Sequence, residues 1–252
     1  MTAATPLTTG LPVRHGFFTR EGGVSEGPYA SLNCSLSGQD RRAAVLENRA
    51  RAAAALGADP AHLVGLTQVH GAAVVQVTEP WAAGAGPAAD AMVTDRPGLA
   101  LGVVTADCAP VLLADPTAGV VGAAHAGWRG ALAGVLEATV DAMLRLGARG
   151  ERIAAAIGPC IGAASYEVGS DLRAAVLARD PADARFFRDG APGHWWFDLP
   201  GYCAARLAGG GVTAIARVTA DTLAEPDRFF SHRRRTLAGG GPIGHQISVV
   251  AL

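Results

Sequence analysis

The sequence predicts a single α+β domain built on mixed β-sheets, and three observations carry that expectation. Strand-like runs recur from one end of the chain to the other, outnumber the helical patterns and do not alternate with them strictly. That argues for a layered mixed-sheet fold over a Rossmann or TIM arrangement. Several runs are continuously apolar, as expected of strands covered on both faces. The chain has 252 residues, half of them hydrophobic and 17% charged, enough to bury a sizeable core. The loops AAGAGPAAD (82–90) and AGGGPIG (238–244) are too short to divide it, so one domain spans 1–252.

In chain order the expected strands are VRHGFFT from Val13, VVQVT from Val74, AMVT from Ala91, LALGVVT from Leu99 and PVLLAD from Pro110. They continue with GVVGAAH from Gly119, RIAAAIG from Arg152, GVTAIARV from Gly211 and QISVVAL from Gln246. Arg41 to Leu56 reads as a helix, with Asp40 as N-cap and Gly57 as its end. Ala131 to Leu146 reads as another, because Leu132, Val135, Leu136, Met143 and Leu144 form one apolar stripe and Gly147 supplies a stop. Ser170 opens a third around DLRAAVLA. Asp198-Leu199-Pro200 opens a fourth that stops at Gly209. No internal repeat is evident, and no GxGxxG follows the first strand, so nucleotide binding by that route has no support.

Composition narrows the function. A net charge of -1 with no polybasic face gives no reason to expect nucleic acid as a partner. The basic residues are all arginine, which excludes a Walker A lysine and a Schiff-base lysine. The amino terminus lacks a charged region followed by an apolar core, and no apolar run reaches the length of a membrane span. Cys34, Cys108, Cys160 and Cys203 are too few and too scattered for a disulfide framework. A cytoplasmic protein with reduced thiols is expected, acting on small molecules with no membrane and no protein partner in evidence.

The chemistry concentrates in three residues that end or follow apolar strands: His70 in LTQVHG, Cys108 in TADCAP and His125 in AAHAGWRG. Two imidazoles and a thiolate form a zinc ligand set, and catalytic zinc typically keeps three protein ligands and an open fourth position. Separations of 38 and 17 residues exclude a zinc finger and fit a site assembled from different strands. Each residue taken singly has an ordinary reading, since a buried cysteine is usually a small hydrophobe and a strand-end histidine a satisfied structural residue. A second functional reading makes Cys108 a nucleophile, His125 its base and Asp107 an orienting or acidifying carboxylate. The residues alone leave metal site and dyad both open.

Around this core, Cys160 in IGPCIG, Cys34 and Cys203 read as packing residues, and His62 and His194 as surface residues. His15, His232 and His245 lie in polar-rich blocks. Arg20 in FTREGG, Arg129 in GWRG and Arg233 in the run Arg233-Arg234-Arg235 sit in glycine-rich or loop contexts where guanidinium forks suit phosphate. Ser31 and Asn33, in SLN, offer short polar groups for a sugar or phosphate.

The blocks HGFFTREGGVSEGPYASLN, TQVHG, TADCAPVLLADP, GVVGAAHAGWRG, IGPCIG with SYEVG, and FFSHRRR resemble, in order from about His15 to Arg235, the YfiH-like family. Its members were first described as multicopper polyphenol oxidoreductases or laccase-domain proteins. The resemblance implies α/β/β/α layers related to toxin deamidases. It implies a metal site on His70, Cys108 and His125, with zinc as the expected ion and copper as the older assignment. It further implies phosphorolysis of adenosine, inosine and S-methyl-5'-thioadenosine, with adenosine deamination. In that setting Asp107, Cys108, His125 and Arg129 are the expected catalytic residues. Arg20, Ser31, Asn33, Gln68 (in TQVHG) and Arg233 are the expected groups for substrate and phosphate. Some members are instead linked to removing mis-built peptidoglycan precursors.

Two features qualify that picture. Seven histidines and no HxH pair are too few for a laccase that holds several coppers. The carboxy-terminal blocks also depart from the family pattern: Asp221 stands for a cysteine, Leu223 and His232 for tyrosines, and His245 for an arginine. All four lie outside the expected ligand set.

Overall fold

The computed structural model describes residues 3–252. Its strands are β1 Pro6–Leu7, β2 Arg14–Phe18, β3 Leu63–Val64, β4 Val74–Gln76, β5 Ala91–Thr94, β6 Ala100–Thr105 and β7 Ala109–Asp115. They continue with β8 Val120–Ala126, β9 Ala154–Ile157, β10 Glu167–Gly169, β11 Phe187–Asp189, β12 His194–Phe197, β13 Ala214–Arg217 and β14 Gln246–Ala251. The α-helices are α1 Arg42–Ala55, α2 Trp128–Ala133, α3 Val135–Arg145, α4 Ser170–Arg179, α5 Leu199–Gly209 and α6 His232–Leu237.

Two mixed sheets lie face to face, ordered β1-β2-β14-β6-β3 and β13-β9-β7-β8-β5-β4, beside a small sheet β10-β12-β11. Strand alternation fills the layers between them. Phe17 of β2 enters the cluster shared by the two large sheets, with Leu101, Leu112, Val121 and Val250. Its neighbour Phe18 points the other way, to Ala52 and Ala53 of α1 and to Val249. In β7, Leu112 joins the layer between the sheets while Leu113 faces Leu136, Val140 and Met143 of α3. The order is therefore α1, first sheet, second sheet, then α2 to α5, which is the α/β/β/α layering that the family resemblance implies. Each fully buried Phe or Leu contributes about 1.5–3 kcal/mol of transfer free energy.

All nine expected strands are present. The apolar runs at β7 and β8 are buried at every position, as their lack of alternation required. The strands not foreseen, β1, β3, β10, β11 and β12, are two to four residues long, too short for a period to register. The helix expected over 131–146 is instead two helices. Gly134 adopts φ +96°, ends α2 in a left-handed cap and starts α3, a conformation glycine reaches without a Cβ penalty. The Asp40 cap is also absent. Arg41 holds the N-cap position without a side-chain bond, while the Asp40 carboxylate just outside the helix accepts from Ser25 Oγ (2.6 Å), Asn33 Nδ2 (2.9 Å) and the Arg41 amide (2.7 Å). No helix among the described residues is long and apolar enough to cross a membrane.

Candidate metal centre

Strand register brings the three ligand-type residues together. β7 and β8 pair antiparallel with Ala109 opposite Ala126 and Pro110 opposite His125, so Cys108, one residue before β7, lies across from Gly127. A Cβ at position 127 would sit 2.9 Å from Cys108 Sγ and 3.0 Å from His70 Cδ2. The first glycine of GWRG is thus the space the ligands occupy. The second, Gly130, backs onto the His70 loop, where a Cβ would come 2.9 Å from the Gly71 carbonyl.

His70 reaches the same point from a loop, with φ +60°, a conformation few non-glycine residues adopt and one that recurs at functional sites. Its loop is held by Asp90, whose carboxylate accepts the amides of Val69 (3.2 Å), His70 (2.9 Å) and Gly71 (2.6 Å). Asp90 precedes β5, which pairs with β8. The same carboxylate therefore also accepts a 2.8 Å bond from His125 Nδ1. That bond assigns the proton to Nδ1 and leaves Nε2 for the site. The ligand atoms of His70, Cys108 and His125 all lie within 4.8 Å of one another, with Cys108 Sγ 3.8 Å from His70 Nε2.

This donor set fits zinc. Bond lengths of about 2.3 Å to sulfur and about 2.0 Å to nitrogen place tetrahedral ligand atoms on the order of 3.5 Å apart, a small contraction from the observed spacing. The electrostatics of the residues by themselves favour a Cys108 thiolate beside a charged His125, whose Nε2 proton a metal would displace. Burial would raise the Cys108 thiol, but His125 and His70 outweigh it and hold the thiol below its ordinary range. Burial would likewise discourage a charge on His125, yet Cys108 and Asp90 outweigh it and raise the imidazole above its usual range. A thiolate is the form that binds metal and the form that attacks electrophiles. The arrangement also answers to a Cys108–His125–Asp90 triad, with Asp90 taking the orienting place that the sequence offered to Asp107.

These residues open onto a cleft of about 960 Å³, which Gln68, Asp107, Arg129, Tyr166, Arg233 and His245 also line. Arg129 is exposed and stacks on Trp128, with Cζ 4.4 Å from the ring centroid. Arg233 lies 5.3 Å from the Tyr166 ring. Among the described residues neither guanidinium has a hydrogen-bond or ion-pair partner, so both are available to an anion.

Several expected site residues are placed differently. Arg20, Ser31 and Asn33 do not line the cleft. Arg20 donates to the carbonyls of Ala30 and Pro226 and Ser31 Oγ to the Arg20 carbonyl. Asn33 is fully buried, donating to Asp40 and accepting from the amides of Ser35 and His245. Their polar groups are spent on loop structure. Gln68 does line the cleft, but its amide pairs with both backbone groups of Val104, at 2.8 and 2.9 Å, continuing the edge of the sheet beside β6. Asp107, at φ +86°, accepts from Thr222 Oγ1 (2.6 Å), Ser231 Oγ (3.0 Å) and the Arg233 amide (2.6 Å). Its carboxylate docks α6 beside the His70–Cys108–His125 cluster. Of the four departures, Asp221 accepts from Ser165 Oγ at 2.6 Å, Leu223 packs against the helix-side core, and His232 and His245 line the cleft.

Asp90 and Tyr166 escaped the reading of the sequence. The signal for Asp90 was present: a lone carboxylate opening the apolar strand AMVT must find partners when buried.

Comparison with known proteins agrees with this architecture. The family described as multi-copper polyphenol oxidoreductase laccase matches residues 14–252. A purine nucleoside phosphorylase of Streptomyces griseus is 49% identical over 221 residues, 87% of this chain and 89% of the relative. One of Deinococcus radiodurans is 45% identical over 244 residues, 96% and 90% of the two chains. Among solved structures, YlmD from Geobacillus stearothermophilus superimposes with a TM-score of 0.90 at 33% identity, covering 100% of this chain and 97% of that one. Bacillus licheniformis YfiH gives 0.89 at 33% identity, covering 94% and 92%. Sequence and fold agree over almost the whole length, and the chain belongs to the YfiH-like, multi-copper polyphenol oxidoreductase laccase family.

Proposed function

We propose that the protein is a zinc-dependent purine nucleoside phosphorylase acting on adenosine, inosine and S-methyl-5'-thioadenosine, with adenosine deamination as a second activity at the same centre. The observation that carries this reading is the joint lining of one cleft by a His70–Cys108–His125 donor set and two arginines whose guanidiniums have no hydrogen-bond or ion-pair partner among the described residues. The names of the relatives support it.

His70, Cys108 and His125 would hold the ion, which when bound supplies Lewis acidity at an open position. Asp90 fixes the tautomer of His125 and the loop of His70, so neither imidazole reorients when a ligand enters. Arg129 and Arg233 hold phosphate by charge-assisted bonds and orient it for attack at the ribose C1′. Stacking of each guanidinium on an aromatic ring limits its motion before the anion arrives. Four free thiols suit a reducing compartment, and we place the enzyme in the cytoplasm.

A second reading rests on a specific observation. The depressed Cys108 thiol, with His125 oriented by Asp90, is the arrangement of a cysteine amidase, for which a peptidoglycan precursor is a substrate class. Elemental analysis of the wild type and Cys108→Ala, beside chromatography of adenosine incubated with phosphate, separates the two. About one zinc per chain, lost in the variant together with adenine release, is expected. Cysteine-dependent activity in metal-free protein would overturn the zinc reading and leave the amidase. A copper-dependent polyphenol oxidase would instead require copper in the same analysis.

A further inference from the structure

We propose that Tyr166 completes an oxyanion subsite with Arg129 and Arg233, and that its ligand is inorganic phosphate. The choice of phosphate rests on the phosphorolysis reading; the subsite itself rests on geometry. The Tyr166 ring packs against Phe197, centroid to centroid 6.0 Å, and carries the Arg233 guanidinium 5.3 Å away. Among the described residues its hydroxyl has no hydrogen-bond partner. Three donor groups without a hydrogen-bond partner among the described residues therefore line the cleft that also holds Cys108 and His125, and the same three residues line one neighbouring pocket.

That neighbouring pocket, of about 330 Å³, is lined by Trp128, Arg129, Tyr166 and Arg233, and its other walls include Glu167 and Asp171. No ion pair joins either carboxylate to either arginine among the described residues. Two carboxylates behind the arginines repel an anion from the small pocket and leave the metal side as the favourable one. Burial, followed by the nearby Cys108, raises the phenol above its ordinary range against the opposing pull of Arg233 and Arg129. The hydroxyl thus stays protonated and donates.

Donor geometry selects the ligand class. A planar carboxylate is satisfied by one guanidinium fork, whereas two forks and a hydroxyl on separate elements match the divergent oxygens of a tetrahedral oxyanion.

The test is calorimetric titration of inorganic phosphate into the wild type and Tyr166→Phe, with zinc content and the KM for adenosine measured alongside. The variant keeps the ring contacts and removes only the hydroxyl. Phosphate affinity about tenfold weaker, the size of one hydrogen bond to a charged group, with zinc content and adenosine KM unchanged, is expected. Equal affinity in both proteins, or no phosphate binding by the wild type, overturns the proposal. Weaker binding in the variant without any base release by the wild type would remove the phosphorolysis reading and keep the subsite. Nitration of Tyr166 in wild-type protein supplies a check that needs no variant. Phosphate is expected to slow it relative to chloride at equal ionic strength, and absence of protection counts against the subsite.

Discussion

Asp90 and His125 face each other across β5 and β8 at 2.8 Å, and the same carboxylate holds the amides of residues 69–71. One buried side chain therefore positions two of the three ligand-type residues, one through its imidazole and the other through its backbone. Hydrogen bonds from His125 and the Gly71 and His70 amides outweigh burial and keep Asp90 ionised below its usual range. Asp90→Asn keeps the volume but cannot accept the same four bonds. Zinc affinity in that variant should fall about 10–100-fold, read by competition with a chelator of known affinity. Unchanged affinity would mean that the His70 loop and the His125 ring are held by other contacts.

Gly127 tests whether the ligand spacing is as tight as it looks. An added methyl meets Cys108 Sγ at 2.9 Å and His70 Cδ2 at 3.0 Å, inside van der Waals contact. Gly127→Ala is expected to lower zinc stoichiometry well below that of the wild type while the circular dichroism spectrum stays native. Full zinc occupancy in the variant would show that the His70 loop yields to the methyl group.

Stability should depend on pH through Asp115, at the end of β7 opposite from Cys108. Its carboxylate is fully buried and accepts from Arg152 Nε (2.9 Å) and the amides of Thr117, Ala118 and Arg149. Burial alone would raise its carboxyl, but the bond from Arg152 and the amides prevail and lower it. A carboxyl depressed on folding contributes stability above its unfolded pKa of about 3.9, and that contribution is lost as pH falls through the lower folded value. Asp115→Asn should therefore melt below the wild type at neutral pH, by about 1–3 kcal/mol of stability. The gap should narrow as the pH is taken below about 4. A gap that stays constant to the acid limit of folding would remove Asp115 as its source.

Long apolar runs made the strands legible in the sequence, and the paired ends of β7 and β8 made Cys108 and His125 legible with them. What was not legible depends on register and on competition for polar groups. Nothing in the spacing of Gln68 or Asn33 says that the first serves Val104, 36 residues away, or that the second ties His245, 212 residues away, to its own loop. Gly134 breaks a helix whose apolar stripe runs through it, since glycine permits a left-handed cap wherever packing asks for one. Asp90 and Tyr166 are illegible in the sequence for a related reason. Each acquires its neighbours only through distant strands and helices.

Asp107 discriminates between proton transfer and positioning. Its carboxylate accepts from Thr222, Ser231 and the Arg233 amide, so its role in the structure is to seat α6, and Arg233 with it, beside the His70–Cys108–His125 cluster. Asparagine tolerates the left-handed backbone at this position. Its carbonyl can keep Ser231 and the Arg233 amide, while its NH₂ donates to a rotated Thr222 hydroxyl. Alanine keeps none of these bonds. A positioning role predicts that Asp107→Asn stays within about tenfold of the wild-type kcat, whereas loss of a general acid would remove about 10²–10⁴. It also predicts that Asp107→Ala raises the KM for phosphate more than the KM for adenosine, because Arg233, the proposed phosphate contact, sits on the helix that Asp107 holds. Steady-state kinetics with each substrate varied in turn decides the matter. A collapse of kcat in Asp107→Asn with both KM values intact would return the proton to Asp107.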